Sequence, residues 1–321
     1  MLIKETGMMN NPHFDSNLVV WDDAYSGRFQ PPPQGYSEQF DLQWRLSLID
    51  ARYGRAPGAS SDERYINDRI YEWTGVHPDG IDGFHDPTGG VRKLDEPVPV
   101  EAIRGRRCLD AGCGMGRWTR VMQRLGAAEV VSVDVSKSAL EATRRFNPNT
   151  QYCDLMNMPE VHPEWVGTFD FVNFWGVAMC THDPLKAFLS AAAMVKDGGY
   201  LFLMVYADGG LHHQPLTNLQ RKIFHSLSSV EERLRFVEHV FHRRWDWRYP
   251  LRVNLEHLYA NLRGFHKGTL VGVLDMLEPW YNWVIPWQVI EGWREKGGFR
   301  EARLLNPKEE RRCAYHVLFR K

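Results

Sequence analysis

The chain has 321 residues, long enough for one enlarged domain or one domain with a substantial addition. It is 43% hydrophobic and 25% charged, and its net charge of −1 argues against a general affinity for nucleic acid or anionic membrane. The five cysteines (Cys108, Cys113, Cys153, Cys180 and Cys313) are odd in number and lack CxxC spacing, so neither a disulfide framework nor a zinc site is indicated.

The opening MLIKETGMMNNPHF has no apolar core of signal-peptide length, and the longest apolar run, LFLMVYA at 201–207, is too short to span a bilayer. The expectation is a cytoplasmic protein. Residues 1–100 are rich in loop signals, among them PPPQG at 31–35 and HPDGIDGFHDPTGG at 77–90. Two helices are predicted between them, at 37–52 and 61–73, and the whole reads as an N-terminal extension lying over something else.

From residue 106 the pattern changes. RRCLDA is a short apolar run typical of a buried strand, and Trp118, Val121, Met122 and Leu125 follow at helical spacing up to Gly126. EVVSVDV at 129–135 is a second strand, and SKSALEATRRF at 136–146 a helix with Ser136 as its cap. TQYCD is a third strand and TFDFVNFWG at 168–176 a fourth. Asp183-Pro184 opens a helix that Gly198-Gly199 is expected to end, and YLFLMVY is a fifth strand. Such alternation predicts a parallel sheet with helices on both faces over 101–207. Residues 208–285 break the rhythm: Leu216, Leu219, Ile223 and Leu227 form one helical stripe, and Val230, Leu234, Val237 and Phe241 another. A helical insertion of about 75 residues is too long for a simple connection. Over 286–321, QVIEGWREKGGF reads as a helix, with FREARLL and CAYHVLFRK as a closing strand pair.

CLDAGCGMGRWT, residues 108–119, places glycines at the carboxyl edge of the first strand, where such sheets bind ligands on backbone amides and a helix N-terminus. Gly112, Gly114 and Gly116 give GxGxG, with Arg117 where a third dinucleotide glycine would stand. No Lys-Ser/Thr pair follows, which excludes a P-loop. Asp110 precedes the glycines and Asp134 ends the second strand.

Together these residues resemble the S-adenosylmethionine site of class I methyltransferases. LDAGCGMG is similar to that family's first motif, VLDxGCGxG. The FDFVNFWGVAMCTHDPLKAFLSAAAMVKDGGYLFLMVY segment is similar to the family's fourth-to-fifth-strand region. FDLQW at 40–44 resembles the FGxQW element of a bacterial subgroup, and PWYNWVIPWQVIEGW at 279–293 resembles its PxYxxxxxxxEVxxW segment. The resemblance implies a Rossmann-like seven-stranded α/β sheet whose glycines make room for the cofactor. It implies that Asp134 binds the ribose hydroxyls, a task for which a carboxylate accepting two hydrogen bonds is suited. Val135 and Ser136 would lie beside the adenine, Asp154 would accept from its amino group, and Leu155 would be next to it. Cys113, Trp175 and Gly176 join this cofactor set. Asp110 either braces the glycine loop or touches ligand, and Arg117 either pairs with the methionine carboxylate or faces solvent. The chain departs from the subgroup at Met179-Cys180, where His-His is common, and at His182, where proline is usual.

Methyl transfer needs alignment and exclusion of water more than a base. His182, at the same edge and able to titrate near neutrality, is the candidate base, or else a loop residue that helps cap the next helix. Tyr281 is a candidate hydrogen-bond partner of substrate, or a half-buried structural tyrosine. His212-His213 alone does not make a metal site, and none is expected. Trp280, Tyr281, Trp283 and Trp287 suit a substrate-pocket wall and suit equally the contact of insertion with core. HRRWDWRYPLR at 242–252 interleaves base and aromatic as single-strand nucleic-acid binders do, but surrounding acids favour a solvated helix end. The expectation is a methyltransferase acting on a small specialised metabolite, at oxygen first, with no nucleic acid or membrane partner. An RNA-nucleoside methyltransferase and a non-catalytic cofactor-binding scaffold stay as rivals.

Overall fold

The structure, a computed structural model, describes residues 19–49, 63–80, 93–207, 215–263, 270–306 and 313–321. His212-His213, and the signal-peptide reading of residues 1–14, lie outside the described residues. Two helices come first, α1 (Tyr36–Ile49) and α2 (Glu63–Thr74). The sheet then begins with β1 (Arg107–Ala111), α3 (Arg117–Arg124), β2 (Glu129–Asp134), α4 (Lys137–Arg144) and β3 (Thr150–Tyr152). It continues through a short α5 (Met158–Val161), β4 (Phe169–Trp175), α6 (Pro184–Met194) and β5 (Val195–Tyr206). Four helices follow: α7 (Pro215–Ser226), α8 (Val230–His242), α9 (Leu251–Leu262) and α10 (Leu270–Leu277). The chain closes with α11 (Trp287–Lys296), β6 (Glu301–Leu304) and β7 (Ala314–Arg320).

The seven strands form one sheet in the order β3-β2-β1-β4-β5-β7-β6. β1 to β5 are parallel, and β7 is antiparallel to both β5 and β6. Side chains alternate between two cores, as the two-residue strand period requires. Leu109, Val172, Leu201 and Phe319 enter one core with Phe188 of α6 and Trp293 of α11. Cys108, Phe171, Phe202 and Leu318 enter the other with Ile66 and Trp73 of α2 and Val121 of α3. There Trp73 stacks on Trp118 with centroids 4.4 Å apart. Truncating an indole so buried costs about 3–5 kcal/mol. A third core holds Leu42 and Leu46 of α1 with Phe224, Phe236 and Leu274 of the four-helix insertion. The N-terminal segment therefore divides: α2 covers the sheet, and α1 joins the insertion as part of a cap.

Two elements differ from the expected reading. Gly198-Gly199 does not end α6, which stops at Met194; both glycines lie within β5. Pairing with β4 jumps from Phe169↔Val195 to Phe171↔Tyr200, so residues 196–199 bulge out of the ladder, with Gly198 at φ +77. The strand expected from TQYCD is confined to Thr150–Tyr152, because Asp154 turns the chain by accepting from Met156 N. Among the described residues no helix is long and apolar enough to cross a membrane.

Candidate active site

A cavity of about 310 Å³ lies between the carboxyl edge of the sheet and the cap. Its floor is made by the β1–α3 turn and the ends of β2, β3 and β4, and its roof by α1, α2 and α10. Open α/β sheets bind ligands at this edge, where β1 and β4 part company in sequence order.

The floor begins at the glycines. Gly112 and Gly116 have φ of +82 and +81, a conformation glycine adopts freely. A Cβ on Gly112 would collide with the Val177 side chain, and one on Gly116 with Phe146. So these two glycines are required first by the turn and its close neighbours. Gly116 is not on the cavity wall, whereas Gly112 and Gly114 are. Gly112 N and Cys113 N both donate to Val133 O, which fastens the turn to β2.

Asp134 closes the floor. One carboxylate oxygen accepts from Gly114 N at 2.8 Å and the other from Ser136 N at 2.8 Å. Burial raises its pKa above the ordinary carboxylate value, and these amide bonds work against that rise. Each oxygen keeps acceptor capacity beyond its one backbone partner. Asp154, Leu155, Val135, Cys113, Trp175 and Gly176 also line the cavity. The Arg117 guanidinium is on the wall as well, 4.5 Å above the Trp175 ring and donating to Tyr65 Oη at 3.0 Å. Burial opposes its charge, but Tyr65 and the carboxylates of Glu72 and Asp275 outweigh it. Arg117 therefore faces the cavity, not solvent.

Three residues expected at the cofactor stand behind the wall. Asp110 is fully buried and accepts from Thr119 Oγ1 at 2.6 Å and Asn173 Nδ2 at 2.7 Å. With Ser132 donating to Thr119 and Asn147 donating to Ser132, it ties β1 to α3, β2 and β4. It braces the floor and does not reach the cavity. Ser136 caps α4 and holds Asp134, and Gly116 turns the chain into α3.

The two catalytic candidates are also displaced. His182 is off the wall, but Tyr36, which is on it, bonds His182 twice. Tyr36 Oη accepts from His182 N at 2.6 Å and lies 2.6 Å from Nδ1. Because the main-chain amide uses an acceptor site, the tyrosine proton goes to Nδ1, leaving a neutral imidazole protonated at Nε2. Burial lowers the His182 pKa. Tyr281 is buried, donates to Gln30 O at 2.7 Å and stacks on Trp283. Burial pushes its hydroxyl up to about 12. None of Trp280, Tyr281, Trp283 and Trp287 lines the cavity; Trp283 packs instead against Trp21 and Phe29 of the N-terminal segment.

The roof residues Tyr36, Phe40, Gln43, Trp44, Tyr65 and Asp275 escaped sequence reasoning as site residues. FDLQW was the one signal: Phe40, Gln43 and Trp44 all face the cavity from α1. Among the described residues no group of three or more His, Cys, Asp and Glu side chains gathers as for a metal.

The donor set suits S-adenosylmethionine. Asp134 offers carboxylate oxygens to a ribose diol, and Arg117 a cation to an amino-acid carboxylate. The buried indole N–H groups of Trp118 and Trp175, on the same wall, have no acceptor. The family of the chain agrees. Residues 91–265, just over half of the chain, match the Methyltransferase domain family. The chain is 40% identical over 101 residues to ribosomal protein L11 methyltransferase of Ralstonia pickettii, covering 31% of this chain and 32% of that one. It is 30% identical over 114 residues to ubiquinone biosynthesis O-methyltransferase of Xanthomonas campestris pv. campestris, covering 35% and 47%. The chain thus spans a third to a half of the length of these curated relatives. A solved S-adenosylmethionine dependent methyltransferase from Mesorhizobium loti is 16% identical, with a TM-score of 0.40 over 68% of this chain and 93% of its own. With its matched domain, its sheet order and its strand-edge carboxylates, the chain belongs to the class I S-adenosylmethionine-dependent methyltransferases.

Proposed function

We propose that this protein methylates a small molecule held between the strand edge and the helical cap, at an oxygen atom. One observation carries the reading: a single cavity is lined both by the glycine turn and by α10 of the cap, and its wall includes the apolar side chains of Met204 and Val271 beside Tyr206. Such a lining suits an apolar or aromatic molecule. The preference for oxygen draws support from the relatives named O-methyltransferases.

When bound, the cofactor supplies a methyl group already activated on a sulfonium. The chain's own residues then bind, orient and exclude water. Asp134 takes the ribose hydroxyls, Asp154 and Leu155 lie along the adenine, and Arg117 takes the methionine carboxylate. Tyr36 and Phe40 close the roof. A hydroxyl acceptor must shed a proton, and Tyr36 Oη is backed by an imidazole nitrogen able to receive one. The proton passes to Tyr36 Oη as the tyrosine's own moves to His182 Nδ1.

Two experiments test this. Calorimetric titration with S-adenosylmethionine, on wild type and Asp134→Ala, measures the cofactor site. Incubation of the protein and methyl-tritiated cofactor with a whole-cell extract then locates the label. Label in a low-mass, solvent-extractable methoxy product is the expected result. Label in nuclease-sensitive material would sink the small-molecule reading in favour of RNA.

A further inference from the structure

α9 carries two opposed faces. Val253, Asn254 and His257 turn inward and are buried, where the helix packs on α7. Leu251, Leu255, Leu258 and Leu262 recur at spacings of four, three and four on the outside, all exposed, Leu262 at 78%. Tyr259 stands exposed beside them. Just before the helix, Trp245 and Trp247 are also exposed, the latter at 82%. This loop is tied to α9 through Asn254, which accepts from Asp246 N and donates to Asp246 O. Soluble surfaces scatter exposed apolar residues singly. Here every exposed leucine and tryptophan among the described residues falls within 245–262.

Charge separates the possible occupants. The stretch 242–263 holds five arginines (243, 244, 248, 252 and 263) against Asp246 and Glu256, in a chain whose net charge is −1. Leucine and aromatic side chains on one helix face, flanked by arginine, are what an interfacial helix presents to acyl chains and anionic headgroups. A second copy would bring arginine-rich flanks together over a helix of 12 residues, short of the roughly 800 Å² per partner of a stable interface. Single-stranded RNA would stack its bases on Trp245, Trp247 and Tyr259 and leave the four exposed leucines without a role.

We propose that α9 and the Trp245–Trp247 loop dock on the surface of an anionic lipid bilayer. The helix lies in the plane of the interface, with leucines in the acyl boundary and tryptophans at headgroup depth. The near-zero net charge of the chain averages this basic stretch away, which is why composition alone argued against a membrane partner.

The test uses the full chain and co-sedimentation with two vesicle preparations, equimolar phosphatidylglycerol–phosphatidylcholine and phosphatidylcholine alone. The expected result is retention on the anionic vesicles that weakens with added salt and with the neutral lipid. The Leu255→Ser/Leu258→Ser variant should bind about tenfold more weakly or worse, with cofactor titration and thermal melt unchanged. If that variant misfolds, Leu262→Ser at the helix end replaces it, with a smaller loss expected. Wild type left in the supernatant, or a folded variant that binds as wild type, overturns the proposal. So does a dimer in analytical ultracentrifugation that the leucine variant splits, or polyuridylate binding that depends on the same leucines.

Discussion

The floor and roof of the cavity are built by different means. On the floor, Gly114 and Ser136 hold Asp134 through main-chain amides, and Asp110 locks the strands below it through Thr119 and Asn173. On the roof, the side chains of Tyr36, Phe40 and Trp44 reach the cavity from one helix, and Gln43 Nε2 donates to Asp275. A site made from backbone tolerates few residue types at its turning points. A site made from helix faces can exchange side chains without moving the chain. Under the proposed function, cofactor binding falls to the floor and substrate choice to the roof.

The largest effect should come from Asp134→Ala, which removes both the diol acceptor and the anchor of Gly114. A fall of about a hundredfold in S-adenosylmethionine affinity is expected by calorimetry. An equal fall in Trp44→Ala would break the division between floor and roof. Gly116→Ala sharpens it from the other side. That glycine is off the wall, so the variant should lose about 2 kcal/mol of stability to positive φ and collision with Phe146, read by urea melts. Unchanged stability would show that the turn does not depend on it.

Beneath the floor, His316 lies against Trp175 and Phe202, and burial lowers its pKa to about 4. Above pH 6.5 neither folded nor unfolded chain protonates this ring, so its contribution is intact. As pH falls from 6.5 toward 4, the unfolded chain takes up the proton first and stability declines. His316→Phe should remove up to about 1.4 kcal/mol per pH unit from that slope, compared by urea melts across the window. The smallest effect concerns the roof alone. In Tyr36→Phe, His182 loses the donor to Nδ1 that favours its neutral form, so its titration followed by NMR should move upward by less than about one pH unit. Cofactor affinity should hold; a large loss would place Tyr36 in the floor's task.

How much of this could be read from the sequence follows the same division. CLDAGCGMGRWT announced strand, turn and helix because glycine spacing and apolar periodicity are local signals, and Asp134 and Asp154 stood out as acids at strand ends. Tyr65 and Asp275 carried no such mark. They reach the cavity through helix contacts far apart in the chain, which no short window encodes. The aromatic run at 280–287 was ambiguous for a related reason: whether Trp283 lines a pocket or fills a core depends on Trp21 and Phe29, more than 250 residues away. Gly198-Gly199 was misread because a bulge in a strand and the stop of a helix draw on the same residue.

α1 is fastened on two sides. Asp41 accepts from Ser138 N and Ser136 Oγ at the start of α4, while Gln43 N donates to Glu278 and Gln39 accepts from Trp280 N beyond α10. One helix thus joins the cap to the start of α4. Moving it would break one bond to Ser136, whose amide holds Asp134, and one to Ser138. Under the proposed function, a displacement of α1 that admits an acceptor also loosens the support of the Asp134 carboxylate.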